Sequence, residues 1–262
     1  MFRKMVFDFT ILIVSFFGTW YLLSQIPFIK EEKDFEISLR QEEEIGRILR
    51  KIFIADADTI DDEEVKSSVN KMTRFLESKL DSGKYTYRIT VIETSDINAF
   101  SLPGGFIIIY SGLIDFCKTP EELAGVIAHE MGHNENHDVL KRLAKNISIT
   151  IILNSVIGSD KGNLDDILQQ VISTKFDRCQ EELADAFAVD LMLHSGINPE
   201  HLAHFFERLL DQKPAILNQL DFLMTHPADD KRIEAIRNRA EGRYFQEQPL
   251  EVYWPGLKEH PR

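Results

Sequence analysis

Residues 119–137, TPEELAGVIAHEMGHNENH, are bound to form a helix by their opening and their spacing. Thr119 is an N-cap residue, Pro120 suits the first helical position, and Glu122 three residues after the cap completes a capping-box pattern. Leu123, Val126 and Ile127 then supply a buried stripe. In such a helix His129 and His133, four apart, stand one turn from each other on one face. Two imidazoles at that spacing reach a single zinc ion at ~2.0–2.1 Å. Glu130 is rotated by about 100° around the axis, which removes it from the ligand set but lets it reach a water on the open side of the metal. Two ligands and a general base thus come from five residues, His-Glu-x-x-His. His137 continues the same row, so a His133/His137 pair and a metal-free polar face are alternatives that only a third ligand can decide between.

A third ligand is available in residues 177–196, DRCQEELADAFAVDLMLHSG. Leu183, Ala184, Phe187, Ala188, Leu191 and Met192 predict an apolar helix face, and Gly196 a C-terminal stop. Glu181 and Asp185 lie four apart and project the same way, beside Ala184 and Ala188, whose small side chains permit close packing. Unpaired buried acids are costly, and a metal with a ligating histidine offsets that cost. Glu181 then completes a His₂Glu site with the fourth position left for water. Asp185 accepts the remaining N–H of a ligand histidine and fixes its tautomer. The plainer alternative is a pair of exposed acids like Glu182 and Asp190.

The rest of the chain sets the context. A net charge of −13 argues against nucleic-acid phosphates as a partner. Between Lys30 and Val65 acids outnumber bases 13 to 6, which reads as a solvated face or connector. Arg3 and Lys4 precede a mostly apolar run from Met5 to Ile29, long enough to span a bilayer as one transmembrane helix, with Trp20 and Tyr21 as interfacial anchors. Bulky residues at its exit favour an uncleaved signal anchor over a cleaved signal. That orientation leaves the N-terminus in the cytoplasm and the remainder across a membrane. Residues 31–84 read as a helical linker and the start of the main region, 85–240 as its core, and 241–262 as a tail. Strand patterns occur at 85–93 and on both sides of Pro103-Gly104-Gly105. The apolar stretch 146–159 is too short to span a bilayer and reads as a buried helix, or as a loop dipping into the membrane surface. Cys117 and Cys179 are expected to be thiols, and His194, His201 and His204 ordinary helix-surface residues.

The chain resembles the HtpX/BepA/Oma-type zinc metallopeptidases, relatives of the CAAX prenyl proteases. The resemblance is carried by Asn98-Ala99-Phe100-Ser101-Leu102-Pro103-Gly104-Gly105-Phe106, Tyr110-Ser111-Gly112-Leu113, His129-Glu130-x-x-His133, Glu181-x-x-Ala184-Asp185, and Thr225-His226-Pro227 with Arg232. It implies one zinc ion per chain, an α+β zincin-like core of helices against a small sheet, and endopeptidase activity on misfolded or membrane-associated proteins. It also places His226 near the metal, as an oxyanion donor or a resting-state ligand, with a helix-capping histidine as the plain alternative. Arg232 would orient an active-site acid. Asn98, Ala99, Gly104, Gly105, Phe106 and Ile107 are the expected substrate contacts, with Phe106–Tyr110 as an edge strand beside the cleft or else a core strand. No tetratricopeptide-like array is expected after the peptidase region, and the single span differs from members with several membrane helices. A bacterial inner membrane facing the periplasm is preferred to a mitochondrial one. Rival readings are a zinc amidase and a non-catalytic membrane-anchored scaffold or chaperone with a structural metal.

Overall fold

The Pro103-Gly104-Gly105 reversal joins β2 (Ala99–Leu102) to β3 (Phe106–Tyr110) as an antiparallel pair. Gly104 and Gly105 have φ of 77° and 84°, a region where a side chain is strained. A computed structural model describes residues 37–55, 57–81, 83–146, 175–212 and 221–254, with a few isolated positions besides. β1 (Arg88–Ile92) pairs with β3 in parallel, so the sheet order is β1–β3–β2 and β3 is central. The expectation of an edge strand at Phe106–Tyr110 is therefore corrected. A run of consecutive apolar residues is what a strand covered on both faces requires, and Phe106, Ile107, Ile108 and Ile109 are all buried. The edge on the far side from β1 belongs to β2.

The sheet's two faces receive different helices. Val91, Ala99, Ile107 and Ile109 point into the main core, together with Val65, Val69, Met72 and Leu76 of α2 (Glu63–Glu77). Phe100 turns the other way, its ring 5.2 Å from that of Phe53 on α1 (Leu39–Ala55). Gly46 lets α1 lie against the β2–β3 turn, since a Cβ there would sit 1.8 Å from the Pro103 carbonyl oxygen.

After the short α3 (Ser111–Phe116), helix α4 (Pro120–Glu135) runs through the core and is buried from Glu122 to Asn134. Its cap is only half as expected. Thr119 Oγ1 accepts from Glu122 N at 3.3 Å, whereas the Glu122 carboxylate accepts from Lys118 N at 2.7 Å and pairs with Arg208 of α7 (Glu200–Gln212). α5 (Asp138–Asn146) follows α4 after a turn at His137, whose φ is 54°. α6 (Arg178–His194) is started by a reciprocal capping box between Asp177 and Gln180. Leu183, expected on its apolar face, is exposed. α6 packs on α4 where Gly132 faces the backbone of Ala184. α8 (Asp221–Thr225) and α9 (Asp230–Ala240) complete the helical layer, and Leu250 and Leu257 return the chain to the core.

Cys117 is a buried free thiol and Cys179 an exposed one. Leu39–Arg262 forms one packing unit. Among the described residues no helix is long and apolar enough to cross a membrane. The expected span at 5–29 and the apolar stretch 146–159 fall almost entirely outside the described residues.

Candidate metal centre

Three elements bring four donors together. α4 supplies His129 and His133, whose Nε2 atoms are 3.1 Å apart. α6 supplies Glu181, with Oε1 3.5 Å from His133 Nε2. The residue after α8 supplies His226, whose Nδ1 lies 3.3 Å from His129 Nε2 and 3.0 Å from Glu181 Oε1. All four side chains are buried. Zinc bonds of ~2.0–2.1 Å in a tetrahedron place ligand atoms ~3.3–3.4 Å from one another, so these separations match one zinc ion. The charge argument agrees, because three imidazole nitrogens and a carboxylate oxygen converging out of water repel unless a cation lies among them.

The tautomers are set from behind. His129 Nδ1 is 2.9 Å from Asp185 Oδ1, and His133 Nδ1 is 2.9 Å from Asp138 Oδ2. A proton on each Nδ1 leaves the Nε2 lone pair for a metal. Gln180 Nε2 donates to the other oxygen of Asp138 at 3.3 Å. Arg232 spans both acids of α6: Nη1 is 2.5 Å from Glu181 Oε2, and Nε and Nη2 each donate to Asp185 at 2.8 Å. Burial pushes the Glu181 and Asp185 carboxyls up, but His226, His133 and Arg232 hold Glu181 well below the usual carboxylate range, and Arg232 and His129 lower Asp185. Burial likewise works against a charge on His133, yet Asp138 and Glu181 push its pKa up to about 9. His226, with burial dominant, is shifted down.

Aromatic rings wall the site. Phe176 stacks on His133 with centroids 3.8 Å apart, and its outer face carries the Arg142 guanidinium at 3.7 Å. Phe222 stacks on His226 at 4.5 Å.

Glu130 stands apart from the donors, as its rotation about the helix requires. Its Oε1 is 3.4 Å from His226 Nε2, and its Oε2 accepts from Ser101 Oγ at 2.7 Å. Glu130 Oε1 and His226 Nε2 are both buried with no hydrogen-bond partner. Two facing polar atoms of this kind suit a reacting group that bonds to both.

The structure thus gathers His129, Glu130, His133, Glu181, Asp185, His226 and Arg232 into one site. His226 Nδ1 is the fourth atom of the donor group, the arrangement expected of a resting-state ligand. His137 leaves the histidine row: the left-handed turn sends its Nδ1 to Glu42 at 2.9 Å and its Nε2 to Lys84 at 2.7 Å. His194 and His204 are exposed, and His201 approaches the cap residue Thr119 at 3.2 Å.

The expected substrate contacts separate. Gly105 N donates to Asn134 Oδ1 of α4 at 2.9 Å, tying the turn to the metal helix. Ala99 lies on the edge strand, and Asn98 just before it accepts from Tyr110 N through its main-chain carbonyl. Gly104 packs on Glu43 of α1, while Phe106 and Ile107 belong to the central strand. Asp138, Phe176 and Ser101 are the participants that sequence reasoning missed. An acid five residues after His133 was the one visible signal for Asp138.

The model for Peptidase family M48 matches residues 59–240. The beta-barrel assembly-enhancing protease of Yersinia pestis is 26% identical over 231 residues, 82% of this chain and 47% of that protein. Metalloprotease LoiP of Escherichia coli (strain K12) is 32% identical over 160 residues, 57% of this chain and 61% of that protein. The mitochondrial metalloendopeptidase OMA1 of Schizosaccharomyces pombe is 27% identical over 182 residues, 66% of this chain and 53% of that protein. The chain spans about half the length of the beta-barrel assembly-enhancing protease. With the family match running from the connector before α2 to the end of α9 and enclosing every donor, the chain belongs to peptidase family M48.

Proposed function

We propose that this protein is a membrane-anchored zinc metalloendopeptidase that hydrolyses peptide bonds in misfolded or membrane-associated proteins. The observation that carries the reading is Glu130, buried beside a four-donor group yet outside it. A structural metal site has no use for a carboxylate in that place.

His129, His133 and Glu181 would hold the ion, with Asp185, Asp138 and Arg232 holding them. The bound ion supplies Lewis acidity toward the scissile carbonyl and toward water. Glu130 takes a proton from the attacking water and passes it to the leaving amine as the C–N bond breaks. His226 would complete the donor set through Nδ1, and its buried Nε2, which has no hydrogen-bond partner, would be the donor to a developing oxyanion. An extended polypeptide would add to β2, the strand that ends the sheet, where main-chain hydrogen bonds give affinity with little sequence preference. The relatives' printed names, a beta-barrel assembly-enhancing protease and a mitochondrial metalloendopeptidase, support proteolysis as the reaction, and the role in protein quality control is part of the proposal.

One observation favours a second reading. Four protein donors close a site in the manner of structural zinc, which suits a non-catalytic scaffold. Glu130→Gln separates the two. It should keep zinc and lose casein cleavage, whereas His133→Ala should lose both. Undiminished cleavage by the Glu130→Gln protein would exclude the peptidase mechanism. A reporter fused after Arg262 should be active only outside the cytoplasm, and cytoplasmic activity would reverse the anchored orientation.

A further inference from the structure

We infer that Ser101 is a positioning residue for Glu130, its hydroxyl acting as a two-position donor that follows the charge on that carboxylate. The inference rests on the peptidase reading and adds a residue to it.

The geometry begins in the sheet. Ser101 pairs with Ile107 in the β2–β3 register, so it shares the face that looks toward α4 with Ala99 and Ile109. Its side chain is buried, and Oγ lies 2.7 Å from Glu130 Oε2 and 2.7 Å from the Glu130 main-chain carbonyl oxygen. A serine hydroxyl has one proton to give, so it cannot donate fully to both.

The two acceptors differ in how their demand changes during the reaction. While Glu130 is a carboxylate, Oε2 is the stronger acceptor, and the charge-assisted bond fixes the rotamer with Oε1 toward His226 Nε2. When water gives its proton to Glu130 and its oxygen bonds to the carbonyl carbon, the carboxyl becomes neutral. The hydroxyl then turns about its C–O bond to the main-chain oxygen, which stays within reach. As the C–N bond breaks, the proton leaves Glu130 for the amine nitrogen and the hydroxyl returns to Oε2. The buried Ser101 hydroxyl thus has an acceptor in either state.

The main-chain carbonyl of Glu130 makes the position distinctive. A bond to that oxygen alone would be a structural tie between β2 and α4. A bond to Oε2 alone would hold the carboxylate but oppose its protonation. Both acceptors at equal distance allow support of the base before and after transfer.

The test uses the full-length, zinc-loaded protein with casein or a quenched peptide as substrate, alongside zinc affinity by chelator competition. Ser101→Ala should lower kcat roughly 10- to 100-fold, the range for a hydrogen bond to a charged group, with KM and zinc affinity unchanged. Ser101→Thr, which keeps the hydroxyl, should recover most of kcat. A Ser101→Ala protein with wild-type kcat overturns the inference. So does one that loses zinc or fails to fold, because Ser101 would then be a tie between strand and helix. A wild-type protein no more active than Glu130→Gln would refute the peptidase reading instead.

Discussion

Gly132 is where the two halves of the metal centre touch, and its replacement by alanine isolates the cost of moving them. A Cβ at Gly132 would stand 3.0 Å from Ala184 Cα and 3.0 Å from its carbonyl oxygen, against ordinary contact from 3.4 Å. α4 and α6 must therefore separate locally by about 0.4 Å, roughly twice the ~0.2 Å latitude of metal–ligand distances. Overpacking of this sort costs ~1–3 kcal/mol, while alanine in place of glycine inside a helix returns ~1 kcal/mol. Gly132→Ala should then destabilise the metal-free protein by only ~0–2 kcal/mol in urea unfolding. The next residue on α4 is the donor His133, and the donor Glu181 lies one turn before Ala184, so zinc affinity should suffer more. We expect a fall on the order of 10-fold, about 1.4 kcal/mol, in chelator competition. Because the clashing atoms are main chain, a second change of Ala184→Gly should not restore binding. Unchanged zinc affinity in Gly132→Ala, or rescue by Ala184→Gly, would refute this account of the helix contact.

Asp138→Asn and Asp185→Asn should each lower zinc affinity by roughly 10- to 100-fold, and a variant binding as tightly as wild type would remove that acid from its role. Stripping zinc with a chelator should lower the urea midpoint, by about 4 kcal/mol of stability where free zinc is ~1,000 times Kd; no shift would mean that the donors hold no ion. Away from the site, burial raises the Asp190 carboxyl, but hydrogen bonds from Arg239 and Arg243 outweigh it and leave its pKa lowered. A depressed folded pKa gives stability that is present above the unfolded value of ~3.9 and lost as pH falls through the folded one. Asp190→Asn should flatten the acid side of the stability–pH curve by under ~1 kcal/mol, since the pair is partly exposed, and an unaltered acid slope would show the pairs to be inert.

What could be read in advance was local. The helical spacing of His129 and His133, the cap at Thr119 and the turn at Gly104-Gly105 are properties of neighbours along the chain, and all appear in the fold. Two of the misreadings involve partners far away. Four apolar residues at 106–109 suit an edge strand or a central one until β1 is known to pair with them from the other side. Glu122 fits a local capping box, but Arg208, 86 residues on, takes part of its carboxylate. Leu183 neighbours Ala184 in sequence yet lies about 100° around the helix, which carries it off the face that Ala184 and Ala188 bury. Asp138 reaches His133 because His137 adopts a left-handed conformation, which non-glycine residues rarely adopt.

His226 joins the donor group across 97 residues from His129, and Glu181 enters from a separate helix between them. A chain still emerging from the ribosome therefore carries two histidines long before it carries anything for them to share. The four-donor group closes only after the segment through α8 has been made and docked, so its assembly waits on nearly the whole span that matches the family.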